Sequence, residues 1–194
     1  MPIIHFITHP DVLIDPAVPV PDWPLSPKGR ARMEAALAAD WVPAIRAIHC
    51  STERKAIDGA EILGAHLGLP FATHHDLGEN DRSATGFLPR EEFEATADLF
   101  FAHPTQSIRG WERAVDAQAR IVGAVERILA APIPGDIAVV AHGGVGALLL
   151  CHLLDEPISR TRDQPPSAAG GWRYAFDAGT RRVVRGWERI DAAP

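Results

Sequence analysis

The chain has 194 residues, 46% of them hydrophobic and 23% charged, the size and balance of one folded globular unit, so a single domain over 1–194 is expected. A net charge of −6 without a Lys/Arg cluster argues against a nucleic-acid or anionic-membrane surface. No apolar run approaches the ~18 residues of a membrane helix, and no basic N-terminal segment leads into a long apolar one, so a cytoplasmic protein is expected. Cys50 and Cys151 both lie in apolar segments and lack metal-ligand spacing, as buried free thiols do.

In chain order, Pro2–Thr8 is a short apolar run closed by Pro10 and reads as a buried first strand. Asp11–Pro24, with Pro16, Pro19, Pro21 and Pro24, reads as an extended loop. Ser26 and Pro27 are the N-cap and first turn of a helix through Ala39. Ala44–Cys50 is a second strand, and Ser51 is expected to cap a helix running to about His66, stopped by Gly68-Leu69-Pro70. Phe71–Thr73 is a third strand. Helical patterns follow at Arg90–Ala102 and Gly110–Ala130, with a turn at Pro132–Asp136. Ile137–Ala141 is a continuous apolar strand, and Gly143-Gly144 leads into a helix over Val145–Leu154. Pro165–Gly171 reads as a mobile loop before a hairpin of Trp172–Phe176 and Val183–Trp187.

Strands alternating with helices imply a mostly parallel sheet covered on both faces, a three-layer α/β/α sandwich. Ligands in such sheets bind beyond the carboxyl ends of the strands. That rule selects Thr8-His9-Pro10, Ser51-Thr52-Glu53-Arg54-Lys55 and His142-Gly143-Gly144. One histidine at a strand end is unremarkable. Two of them, one leading through Gly-Gly into a helix start, with a cation one turn into another helix, suit a phosphoryl group.

These residues resemble the histidine phosphatase superfamily, the phosphoglycerate mutase-like branch 1. Phe6-Ile7-Thr8-His9-Pro10 stands where that family has a strand ending in Arg-His-Gly. Cys50–Ala56 continuing to Ala60-Glu61 matches its Ser-rich turn and basic helix, with Lys55 in place of the second basic residue. Ala138–Val145 matches its strand and His-Gly-Gly, and Leu25–Arg30 resembles its first helix start. The resemblance implies a phosphoglycerate mutase-like fold with a helical insertion around 87–102, which reads as a substrate-covering lid.

It also implies that His9 attacks phosphorus and forms a phosphohistidine. His142, Lys55, Arg54, Thr8 and the Gly143 backbone N–H would bind the phosphoryl oxygens. Glu79, ahead of Asp81 and Asp76, would protonate the leaving oxygen. Neither metal nor organic cofactor is implied. The partner would be a small phosphorylated metabolite or phosphate, and nothing bears on oligomeric state. Two features depart from the family: Thr8 replaces its arginine and Pro10 its glycine, so Arg54, Arg82 and Arg109 are candidate replacement cations.

Three readings follow. The first is a phosphomonoesterase. The second is a degenerate, non-catalytic phosphate-binding or interaction protein, for which Thr8 and Pro10 are the case. The third, a zinc site from His9, His142 and Glu79, lacks short ligand spacing and would set Lys55 beside the metal. His5 and His49 read as structural, His66 and His152 as incidental, and His74 or His75 as a residue that could line the pocket. Trp23, Trp111, Trp172 and Trp187 read as packing residues.

Overall fold

The computed structural model describes residues 1–132, 135–166 and 169–192. Its strands are β1 (Ile3–Thr8), β2 (Ile45–Ser51), β3 (Phe71–His74), β4 (Asp136–Ala141), β5 (Trp172–Asp177) and β6 (Val183–Arg189). Its α-helices are α1 (Pro27–Ala36), α2 (Arg54–Leu67), α3 (Arg90–Ala102), α4 (Ala114–Leu129) and α5 (Gly143–Leu153). The strands form one sheet in the order β3-β2-β4-β1-β5-β6. β3, β2, β4 and β1 run parallel, and β5 and β6 close one edge antiparallel.

The apolar strands divide their side chains between two faces, as a period of two requires. From β4, Ile137, Val139 and Ala141 join Ile4 and Phe6 against α4 and α5. Ala138 and Val140 join Ile7, Ile48 and Cys50 against α1 and α2. A continuous apolar run is therefore what a strand buried on both faces needs. The three-layer sandwich is the architecture expected. A third cluster, Phe100, Phe101, Trp111, Ala114 and Leu148, packs α3 onto the outer side of α4 and α5.

Several boundaries differ from expectation. α1 stops at Ala36 although Ser26 does cap it, its oxygen accepting the Gly29 N–H at 3.0 Å. α4 begins at Ala114 because Arg109 and Gly110 take positive φ, 51° and 82°, which no helix continues. α5 begins at Gly143, so both glycines lie in its first turn. Ser51 caps nothing: it ends β2, and α2 starts three residues later. The turn at Pro132–Asp136 and the loop at Pro165–Gly171 fall partly outside the described residues, at 133–134 and 167–168. Among the described residues no helix is long and apolar enough to cross a membrane.

Candidate phosphoryl-transfer site

The parallel register brings the three motifs together. Thr8 lies opposite Ala141, and the His9 N–H donates to the Ala141 carbonyl at 3.1 Å, so β1 and β4 end side by side. Their next residues are His9 and His142, with ring centroids 5.2 Å apart and planes at 66°. Cys50 lies opposite Val140, which sets the end of β2 against the same edge. Residues far apart in the chain thus meet because both follow neighbouring strands.

The His9 ring is oriented by its own backbone. Nδ1 lies 2.9 Å from the Pro10 carbonyl, which can only accept, so Nδ1 holds the proton and Nε2 keeps its lone pair. Burial first, and the Lys55 charge second, push the ring down to about 4. His142 is fully buried. Its Nε2 lies 2.7 Å from Ser51 Oγ and 3.4 Å from Glu53 Oε1, while its Nδ1 finds no partner among the described residues. Burial lowers it also to about 4, against the opposing pull of Glu53.

Glu53 organises the cations. Its carboxylate meets Lys55 Nζ at 2.5 Å and accepts the Glu79 N–H at 2.8 Å. The His142 and Lys55 charges hold it far below the ordinary carboxylate range despite its burial. Lys55, nearly fully buried, also donates to the Val20 carbonyl at 2.8 Å, which ties the proline-rich loop to the site. Glu79 reaches the start of α5, where its carboxylate accepts from Gly144 at 3.0 Å, Val145 at 3.0 Å and Asn80 at 3.1 Å. It thereby satisfies orphan donors at a helix N-terminus. Gly143, first in the helix, has no intrahelical acceptor for its own N–H. The glycine pair lets two side chains come close: a Cβ at Gly144 would meet Glu79 Oε1 at 2.7 Å, and one at Gly143 would meet Gln164 Nε2 at 2.6 Å, so either would push that side chain aside.

Of the residues expected here, His9, Lys55, Glu79, His142 and Gly143 come together. Arg54 does not: its guanidinium is bound to Asp58 at 2.5 Å and Glu61 at 3.2 Å along the half-exposed side of α2. Thr8 is buried, and its hydroxyl accepts the Trp172 N–H at 3.0 Å and donates to Gln164 Oε1 at 2.8 Å, so it is not free for phosphate. Arg109 is held outside by Glu92 and Thr96. Of the three arginines considered, Arg82 is the one whose charge reaches His9, more weakly than that of Lys55, and it rests on the Phe93 and Trp111 rings at 5.0 and 5.7 Å. His74 turns away to pair with His49, ring nitrogens 2.9 Å apart. Among the described residues no group of three His, Cys, Asp or Glu side chains is arranged to hold a metal.

Three participants are not evident in the sequence. Glu53 is there one more charge at a helix start, and Gln164 one more loop residue. Ser51 and Glu53 share one signal, their place in the segment after β2, and for Ser51 that place suggests a helix cap instead.

The chain matches the model of the histidine phosphatase superfamily (branch 1) over residues 17–188, a span that begins after His9 and includes Lys55, Glu79 and His142. No curated protein sequence matches it. Among solved structures, a mycobacterial glucosyl-3-phosphoglycerate phosphatase with inorganic phosphate is similar at 22% identity and TM-score 0.74, covering all of both chains. Bacillus stearothermophilus YhfR is similar at 22% identity and TM-score 0.77, over 100% of this chain and 98% of that one. At these identities the likeness is one of fold.

Proposed function

Because the chain belongs to the histidine phosphatase superfamily (branch 1), we propose that it is a phosphomonoesterase of a small phosphorylated metabolite, acting through a phosphohistidine. One observation carries this reading: the His9 Nδ1 proton is spent on the Pro10 carbonyl, leaving Nε2 bare in a ring 5.2 Å from that of buried His142, whose Nδ1 has no partner among the described residues. In the first step His9 Nε2 bonds to phosphorus and the bond to the leaving oxygen breaks, with Glu79 delivering the proton that oxygen needs. In the second, water attacks phosphorus and the N–P bond breaks, releasing phosphate and restoring His9. His142 Nδ1, Lys55, Arg82 and the Gly143 N–H surround the equatorial oxygens. No metal or organic cofactor takes part. The phosphatase named among the structural neighbours lends support at the level of fold.

The binding-protein reading keeps a specific observation of its own: the hydroxyl at Thr8 is engaged, and Lys55 is already paired with Glu53. Rapid quench into alkali, where phosphohistidine survives, separates the two. Retained label from a phosphorus-labelled aryl phosphate, abolished in His9→Ala, is the expected outcome. Phosphate binding without turnover or label would establish the binding-protein reading instead. Turnover is expected to persist after exhaustive chelation, and loss restored by zinc or magnesium would overturn the mechanism.

A further inference from the structure

We infer that this site takes its phosphoryl group as a singly charged monoester, with Gln164 as a neutral donor to it. The inference rests on the phosphatase reading above and concerns which ionic form the site accepts. The charged groups facing the His9–His142 pair come from every element around it. β1 and β4 lead directly into the two histidines. The start of α2 supplies Lys55 and Glu53, joined at 2.5 Å. The segment after β3 supplies Glu79 and Arg82, and behind it α4 supplies Arg120, which holds the Glu79 carbonyl at 3.1 Å and is itself matched by Glu112 at 2.7 Å. The segment before β5 supplies Asp163, which feels the Glu79 charge and faces Arg160 at 3.6 Å. Lys55 and Arg82 are therefore matched one for one by Glu53 and Glu79. A doubly charged phosphoryl group would enter a pocket with no surplus of positive charge, and Glu53 would repel it at close range.

What the pocket offers instead is neutral donors. Thr8 Oγ1 accepts the Trp172 N–H, so its own proton goes to an acceptor, and Gln164 Oε1 at 2.8 Å is nearer than the Trp172 carbonyl at 3.4 Å. That contact fixes the amide: the oxygen faces Thr8 and the nitrogen faces Gly143, where a Cβ would meet it at 2.6 Å. The Gln164 amide nitrogen thus lies beside Gly143, the residue that follows His142. A monoanion needs fewer cations than a dianion and gains as much from such donors. The remaining requirement is that the nucleophile stay unprotonated where monoesters carry their extra proton, and His9, pushed down to about 4, does so. Alkyl monoesters take up that proton near pH 6. The step balances: His9 Nε2 forms the N–P bond, the P–O bond breaks, and the proton brought in on the phosphoryl group reaches the leaving oxygen through Glu79.

The test compares inorganic phosphate with sulfate by calorimetry on the intact protein from pH 5 to pH 8. Sulfate stays doubly charged throughout, so its profile reports the protein's own titrations, Asp163 near 6 included. Phosphate passes from singly to doubly charged within the range. The ratio of phosphate to sulfate affinity is expected to rise about tenfold from pH 8 to pH 6, as linkage to one ligand proton requires. A flat or falling ratio overturns the inference and leaves the phosphatase reading standing, whereas failure of both anions to bind at any pH overturns both. Glu53→Gln should tighten sulfate by about tenfold and flatten the ratio, because the repelling charge is gone while the hydrogen bond from Glu79 is kept. Unchanged sulfate affinity in that variant would refute the charge balance. Gln164→Ala should weaken phosphate at pH 6 several-fold with its pH slope intact, and unchanged affinity would remove Gln164 from the site.

Discussion

His5, His9 and His142 are each held down to about 4 by burial, so the folded chain keeps all three neutral where an unfolded chain, at 6.5, would protonate them. Between pH 6.5 and pH 4 the unfolded state binds more protons, so stability is full above 6.5 and falls as pH drops toward 4. Each tenfold by which folding weakens a histidine's hold on its proton is worth up to about 1.4 kcal/mol. Urea unfolding at pH 5 and pH 7.5 should show a lower midpoint at pH 5, and equal midpoints would mean that the rings are hydrated. The same sign governs turnover: the acid limb should fall near pH 4, where His9 Nε2 gains a proton, and not near 6.5. Glu79→Gln should slow alkyl phosphates far more than p-nitrophenyl phosphate, whose leaving group departs unaided. It should also lower the melting temperature, because an amide nitrogen cannot accept the N–H bonds that Gly144 or Val145 gives a carboxylate oxygen. Equal loss on both substrates would confine Glu79 to capping α5. At this scale His9 and His142 were legible because strand ends announce themselves, whereas Glu53 and Gln164 act through partners far along the chain.

Among the elements, the segment entering β5 bears most directly on the nucleophile. The Gly171 N–H donates to the His9 carbonyl at 3.0 Å, and Gly170, at φ +66°, would put a Cβ 1.9 Å from that same oxygen. Arg32 of α1 holds the Gly170 carbonyl at 3.1 Å and pairs with Asp11 and Asp191. The expected mobile loop is therefore anchored at its described end, next to the residue whose placement matters most. Gly170→Ala combines left-handed strain of about 1–2 kcal/mol with displacement of the His9 backbone. Its expected outcome is a lower melting temperature together with a kcat loss exceeding what the fraction unfolded explains. Unchanged kcat would show that His9 is positioned by β1 alone. Helix boundaries were the least legible elements because caps and breaks depend on local geometry. Only the positive φ at Arg109 and Gly110 explains why α4 starts where it does.

Over the whole molecule, the alternation of β1 and β4 between two core clusters made the three-layer architecture readable, since runs apolar on both faces leave no other place for the strands. What the residues could not reveal was the edge charge network at the site, which exists only once β1, β2 and β4 are neighbours. Phe6 shows how far site and core are one object. It is fully buried, stacked on Tyr174 at 5.1 Å, and would touch a Cβ at Gly146 in α5 at 2.8 Å. Phe6→Ala should cost about 3–5 kcal/mol, read as a shift in denaturant midpoint with the slope unchanged. A cost under about 1 kcal/mol would mean that the layer between β1 and α5 refills the space.

The position of β1 also has a bearing on how the molecule comes to exist. This strand precedes the other five in the chain, and among the described residues its sheet partners are β4 and β5, so Ile4 waits for Ile137 on one side and Phe176 on the other. Contacts of such long sequence separation form late and slowly. Nascent β1 stays unpaired until β4 and β5 have been made, and the His9–His142 pair assembles only when it docks. On refolding from denaturant, phosphate binding should therefore return with the slowest structural phase and never ahead of it, which makes the site a reporter of finished folding.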